Sequence, residues 1–141
     1  MKTIIAIWGS ANQGKSSTVK AICQTLLAQF PSATSVPLSI DYSGDIKVIV
    51  IINGKKIGIE SQGDPGSRLI NSLDEFGNQG CDLIICSTRS YGATVDAVSA
   101  MHHRFGYEGI WATNYRTNDL NKDLLNQFSA NQMIDLIKTR I

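Results

Sequence analysis

The hydrophobic pattern of the chain switches repeatedly between two rhythms. Residues 3–8 and 82–87 are continuous apolar runs, and 46–52 is dominated by Ile and Val. Runs of that length and composition predict strands, and continuous ones suit a parallel sheet covered on both faces. Between them the apolar residues recur at helical spacing. Residues 15–29 predict a helix that stops before Pro31. Leu69, Ile70, Leu73 and Phe76 make a second helical stripe, and Val95, Val98, Met101 and Phe105 a third, ended by Gly106. Residues 109–113 predict the last strand. The tail predicts one helix or two, because Ser129 to Gln132 has the capping-box pattern that would restart a helix carrying Met133, Ile134, Ile137 and Ile141.

Turn chemistry sharpens this outline. Residues 30–44 contain Pro31, Pro37, Gly44 and several serines, and predict a long loop with room for a short strand near 36–41. Asn53-Gly54 joins the 46–52 run to a returning strand at 56–59, the pairing expected of a two-residue hairpin. Gly63 to Gly66 then breaks the chain, with Pro65 suited to the first turn of a helix. Strands alternating with helices predict one α/β domain over residues 1–141. Its sheet should be mostly parallel, with five or six strands and one antiparallel strand from the hairpin at 46–59.

Composition changes the picture little. The 141 residues are 43% hydrophobic and 18% charged, with a net charge of +1. That is enough chain for one sizeable core, and it carries no basic footprint for bulk nucleic-acid binding. No apolar run approaches a membrane span, and the N-terminus has no leader-like layout, so a cytoplasmic location is expected. Cys23, Cys81 and Cys86 fall within helix or strand and read as buried reduced thiols. His102 reads as a half-buried structural residue by its spacing from Val95 and Val98.

The chemistry concentrates in one octapeptide. Gly9, Ser10, Ala11, Asn12, Gln13, Gly14, Lys15 and Ser16 spell G-x-x-x-x-G-K-[ST], between an apolar strand and a helix. In that context backbone N–H groups and the helix N-terminus cradle phosphates. Over residues 3–29 the chain resembles the P-loop NTPase superfamily. The resemblance implies a three-layer fold, bound ATP or another nucleoside triphosphate, and Mg²⁺. It also implies that Lys15 reaches the β- and γ-phosphates and that Ser16 offers its hydroxyl to the metal. Ser17 joins the candidate phosphate-binding set, although with Thr18 it reads first as a first-turn helix residue.

Residues 46–66 look like the GTPase-like branch, where an antiparallel strand lies beside the strand ending in D-x-x-G. That placement would put the 56–59 strand next to the first strand. The matching residues are Glu60, Ser61, Gln62 and Gly63. The resemblance implies that Glu60 holds an Mg²⁺-bound water and that Gly63 offers its N–H to the γ-phosphate. Asp64 has three readings: a base or water-positioning group, the metal carboxylate itself, or the N-cap of the helix at Pro65. The guanine-reading N-K-x-D is replaced by Asn114, Tyr115, Arg116 and Thr117. Only Asn114 matches, which favours ATP, or loose base choice, over GTP. Tyr115 or Arg116 could stack on a base or be ordinary loop residues. Arg68, Arg89 and Arg116 follow turns or strand ends, and Arg68 and Arg89 are candidate partners of a transferred phosphate. An NTP hydrolase or switch is the first expectation. A small kinase acting on a nucleotide, nucleoside or metabolite is the second, and a non-hydrolysing nucleotide-binding module the third. A protein partner or an oligomer is compatible with all three.

Overall fold

The computed structural model describes residues 2–9, 14–114 and 122–141. β1 (Thr3–Trp8) leads into α1 (Lys15–Gln29), then β2 (Thr34–Val36), β3 (Lys47–Ile52) and β4 (Lys55–Glu60). α2 (Leu69–Asn78), β5 (Leu83–Thr88), α3 (Ala93–Phe105), β6 (Glu108–Ala112) and α4 (Lys122–Lys138) follow. The strands form one sheet in the order β2-β3-β4-β5-β1-β6. β4, β5, β1 and β6 are parallel, and β3 runs against both β4 and β2. β3 is therefore reversed relative to the other described strands.

The β3–β4 hairpin turns at Asn53 and Gly54, with φ of 52° and 77°. Two successive positive φ values match the twist of the flanking strands, and Asn and Gly are the residues that accept them. The expected antiparallel hairpin is present. Its expected neighbour is not. β5 lies between β4 and β1, so β4 never touches β1. The reason is the short connection after α2: Asp82 already donates its N–H to the Lys56 carbonyl at 2.8 Å, which brings β5 alongside β4. β5 is buried along its whole length, as a strand with a neighbour on each side and helices on both faces must be.

Two cores follow from strand parity. Ile5 and Ile7 of β1, Ile57 and Ile59 of β4, and Leu83 and Ile85 of β5 face α1 and α4. Ile4, Ala6, Ile84 and Cys86 face the other way, against Leu69, Leu73 and Phe76 of α2 and Val98 and Met101 of α3. The molecule is thus a three-layer α/β arrangement, and successive residues of a strand meet different helices. Gly58 is required on the second face, since a Cβ there would sit 2.6 Å from the Phe76 ring.

Local expectations are corrected at the short strand, at Pro65 and at His102, and the tail takes the first of its two alternatives. The short strand is at 34–36, not 36–41. The tail from 122 to 138 is a single helix. Ser129 is buried within it, because Ala130, Met133, Ile134 and Ile137 continue one apolar stripe against the first core and leave the helix no reason to stop. Pro65 does not open α2, which starts at Leu69 with Arg68 as its N-cap. Gly66, at φ 73°, turns the chain out of helical geometry before the apolar stripe begins. That also removes the capping role for Asp64. α3 ends at Gly106 as expected, in the left-handed conformation at φ 80°. His102 is exposed, not half-buried, because it turns away from the face of Val98 and Met101; its Nδ1 lies 3.0 Å from the Tyr107 carbonyl oxygen, a local structural contact. The three cysteines are free and buried, and burial pushes the thiols of Cys81 and Cys86 up to about 11 and about 12. Among the described residues no helix is long and apolar enough to cross a membrane.

Candidate functional site

The carboxyl ends of β1, β4 and β5 open onto a cleft of about 250 Å³. Gly14, Lys15, Ser16 and Ser17 form one wall, at the start of α1. Ser61, Gln62, Gly63 and Asp64, the chain leaving β4, form another, with Ser87 of β5 between them. Asp45 completes the cleft. It can do so because β3 is reversed: the start of β3 lies at the edge where the parallel strands end.

The first turn of α1 is shaped by Gly14. Its φ of 74° is left-handed, and a Cβ there would meet the Asn126 side chain of α4 at 2.6 Å. The positive φ is what favours glycine here, since the Asn126 side chain could turn aside. α1 has no side-chain cap at this end and no acidic residue in its first turn. The positive end of its dipole is therefore directed at the cleft without a carboxylate of its own turn to offset it. Lys15 is only 8% exposed and donates from Nζ to the Gly9 carbonyl oxygen at 2.7 Å. Burial lowers its pKa, Arg89 lowers it further, and Asp64 opposes both. Lys15, Arg89 and Asp64 thus share one field, in which an anion beside Lys15 would be favourable.

Ser16, Asp45 and Ser61 form the centre of the site. The Ser16 hydroxyl donates to Asp45 Oδ1 at 2.7 Å, and the Ser61 hydroxyl donates to the same oxygen at 2.7 Å. Ser61 is itself fixed: its N–H donates to the Ile46 carbonyl oxygen at 2.9 Å and its Oγ accepts the Ile46 N–H at 2.8 Å. The loop carrying Asp45 is tied to α1 by Lys20, whose Nζ donates to the carbonyl oxygens of Gly44 and Tyr42 at 3.3 and 3.5 Å. Partial burial pushes the Asp45 carboxyl upward. The Ser16 and Ser61 hydroxyls and the charges of Lys20 and Arg68 outweigh it and hold the group below the ordinary carboxylate range. A hydroxyl and an ionised carboxylate 2.7 Å apart at the rim of a cleft are hard oxygen donors of the kind Mg²⁺ takes. Among the described residues no group of three or more His, Cys, Asp or Glu side chains comes together as a metal cage.

No family model, curated protein or solved structure matches the chain.

Glu60, expected beside the metal, is elsewhere. Residues 58 and 60 of β4 face α2, whereas 57, 59 and 61 face α1, so the pleat turns Glu60 away from Ser16. Its carboxylate is fully buried, accepting from Arg68 Nε at 2.9 Å, the Ser72 hydroxyl at 2.6 Å and the Gln62 N–H at 2.9 Å. Arg68 is thereby committed to Glu60 and α2. Gly63 does sit at the cleft, pressed on β5: a Cβ would lie 2.2 Å from the Ser87 carbonyl oxygen. Asp64 is exposed and accepts from Arg89 Nε at 3.0 Å across the mouth. Asn114 is partly buried just past the end of β6. Ser10, Ala11, Asn12 and Gln13 of the octapeptide, and Tyr115, Arg116 and Thr117 after Asn114, lie outside the described residues.

Sequence reasoning missed Asp45, Ser61 and Ser87. A lone aspartate after Ser43-Gly44 resembles any loop residue. Its only local signal was its place just before a strand that the hairpin forces to run backwards, and hence at the carboxyl edge.

Proposed function

We propose that this chain is a Mg²⁺-dependent nucleoside-triphosphate-binding protein of the P-loop NTPase kind, acting as an ATPase or as a nucleotide switch. The observation that carries the reading is the Ser16–Asp45–Ser61 cluster, set beside Lys15 at the start of the helix that follows the G-x-x-x-x-G-K-S octapeptide. The phosphates belong at the N-terminal end of α1, where the helix dipole and Lys15 favour them. Ser16 and Asp45 would hold the metal, which takes up charge on the β- and γ-phosphates. Asp45 takes the place first expected for Glu60. In this reading Asp64 would orient a water, and Arg89 would meet charge on the transferred phosphoryl group as it develops. Residues 114–117 lack the aspartate that reads guanine, so ATP is the expected nucleotide, ahead of GTP.

A small kinase is the second reading. It is favoured by β5 lying between β4 and β1, which removes the GTPase-like strand placement, and by the exposed Asp64–Arg89 pair at an open mouth. There Asp64 would take the proton of an acceptor hydroxyl.

The test is equilibrium binding of ATP and GTP with and without Mg²⁺, followed by phosphate release with and without a panel of nucleotide, nucleoside and metabolite acceptors. Acceptor-independent release supports the hydrolase, and acceptor-dependent ADP the kinase. Binding without turnover leaves a nucleotide-binding module. Absence of Mg²⁺-ATP and Mg²⁺-GTP binding would sink the phosphate-site reading.

A further inference from the structure

Glu60 faces away from the cleft, yet three of its contacts end on the segment that lines it or on the helix behind it. One carboxylate oxygen holds the Gln62 N–H. The other holds Arg68 Nε and the Ser72 hydroxyl. The Gln62 side-chain carbonyl in turn accepts the Arg68 N–H at 3.1 Å. Residues 62 and 68 are thus fastened to each other and to the first turns of α2 through one buried carboxylate. Between the fastened points lie Gly63, seated on Ser87, and Asp64, bonded to Arg89. Immediately before them Ser61 holds Asp45. Ser61 and Glu60 are consecutive, so they grip opposite faces of the sheet and share one stretch of backbone.

We propose that Glu60 is a positioning residue: from the α2 face it fixes the backbone of 61–64, and so sets Ser61 against Asp45 and Asp64 against Arg89. The metal-site half of this rests on the function proposed above. The mechanism is geometric. A fully buried carboxylate has its oxygens met by three donors, and no water need replace any of them. Removing its charge leaves Arg68, which is 41% exposed, free to swing outward, and that releases the far end of the segment. Ser61 keeps its bonds to Ile46 but loses the support from the α2 face that helps hold its hydroxyl on Asp45 Oδ1. Mg²⁺ tolerates little distortion, so the loss should appear first in metal affinity rather than in nucleotide affinity.

The experiment uses the full chain with Glu60→Gln, Arg68→Ala, the double variant, and Ser72→Ala as a milder change should Glu60→Gln fail to fold. Hydrogen exchange on the ligand-free protein reads the clamp directly. Amides of 61–64 should exchange at least about tenfold faster in Glu60→Gln and Arg68→Ala, the scale of one lost hydrogen bond to a charged group, while amides 84–87 of β5 are unchanged. The double variant should exceed neither single by more than about threefold, because both remove one connection. A Mg²⁺ titration at fixed ATP reads the consequence. The Mg²⁺ midpoint should rise at least about fivefold, with ATP affinity at saturating Mg²⁺ within about threefold of the parent. Unchanged exchange in 61–64 overturns the proposal. Faster exchange with an unmoved Mg²⁺ midpoint also overturns it, leaving Glu60 a stabilising anchor only. Loss of Mg²⁺ dependence in Glu60→Gln but not in Arg68→Ala would mean that Glu60 ligates the metal, which overturns it in a third way. If the parent chain binds no Mg²⁺-ATP, the proposed function fails by itself, and exchange alone decides the clamp.

Discussion

The Ser16 hydroxyl donates to Asp45 Oδ1 over 2.7 Å, joining residues 29 positions apart. One belongs to the first turn of α1 and the other to the approach to β3, and nothing local brings them together. The bond places the Asp45 carboxylate directly on the serine that ends the G-x-x-x-x-G-K-S octapeptide. Asp45→Asn should therefore keep the fold and an acceptor for Ser16 but lose the charge. Mg²⁺-dependent nucleotide affinity should fall by about tenfold to a hundredfold, the scale of one or two interactions with a charged group. Calorimetric titration with ATP at several Mg²⁺ concentrations measures it. An Mg²⁺ dependence equal to the parent's would return the metal to another carboxylate.

The same residue predicts a pH effect. The Asp45 carboxyl lies below its ordinary value of 3.8, because hydroxyl donors and nearby cations outweigh the upward push of burial. A carboxyl depressed on folding stabilises the native state above its unfolded pKa, and that contribution is lost as pH falls through the lower folded value. The difference in urea midpoint between parent and Asp45→Asn should be constant from about pH 5 to 8 and shrink below about pH 4. It should be small, since Asp45 is an exposed residue whose interactions are screened by solvent.

Lys15→Ala should abolish measurable nucleotide binding. The ammonium lies on the Gly9 carbonyl oxygen at the cleft, depressed in pKa by burial, and Lys15 belongs to neither apolar core. Thermal unfolding should shift by only a few degrees, while fluorescence titration with a nucleotide analogue shows no saturation. Near-parental affinity would exclude Lys15 from the phosphate site.

Asp64→Asn and Arg89→Ala should separate turnover from binding. Their pair spans the mouth, with the aspartate side chain 67% exposed, so it adds on the order of 1 kcal/mol or less to stability. Turnover should drop at least about tenfold in each, the lower end of what a general base or a charge-stabilising arginine contributes, while ATP affinity stays within a few-fold. Steady-state phosphate release read beside equilibrium binding tests this. Parallel loss of both would make the pair a binding element instead.

Gly63→Ala should be costly and Gly44→Ala nearly silent. A Cβ at 63 would lie 2.2 Å from the Ser87 carbonyl oxygen, a backbone atom of the central strand that cannot step aside. A Cβ at 44 meets nothing within 4 Å. Overpacking of the first kind costs about 1–3 kcal/mol, with displacement of the neighbouring Asp64. Urea unfolding of the two variants supplies the comparison, and equal midpoints would show that the segment yields freely.

Much of this architecture was legible in the residues because its causes are local. Ile4–Ile7 and Leu83–Cys86 are apolar throughout because both faces of those strands are covered. The Asn53-Gly54 turn could be read because few residues accept two positive φ values in succession. The octapeptide at 9–16 stands out because its glycines, lysine and hydroxyl have the spacing that the proposed phosphate site needs. What could not be read depended on parity and on neighbours. Glu60 was matched to a motif aspartate by counting back from Gly63, and counting does not say which face of the pleat a residue meets.

The sequence by itself determined the alternation of strands and helices and the reversed strand, and it supplied the octapeptide on which the proposed phosphate site rests, since each follows from hydrophobic period, turn chemistry or spacing within a few residues. Only the tertiary structure decided that β5 separates β4 from β1, that Glu60 serves α2, and that Asp45 meets Ser16. Strand order is a competition among long-range packings that leave the same local pattern. A one-residue change of face in a strand moves a side chain to the opposite core while leaving its place in the sequence untouched.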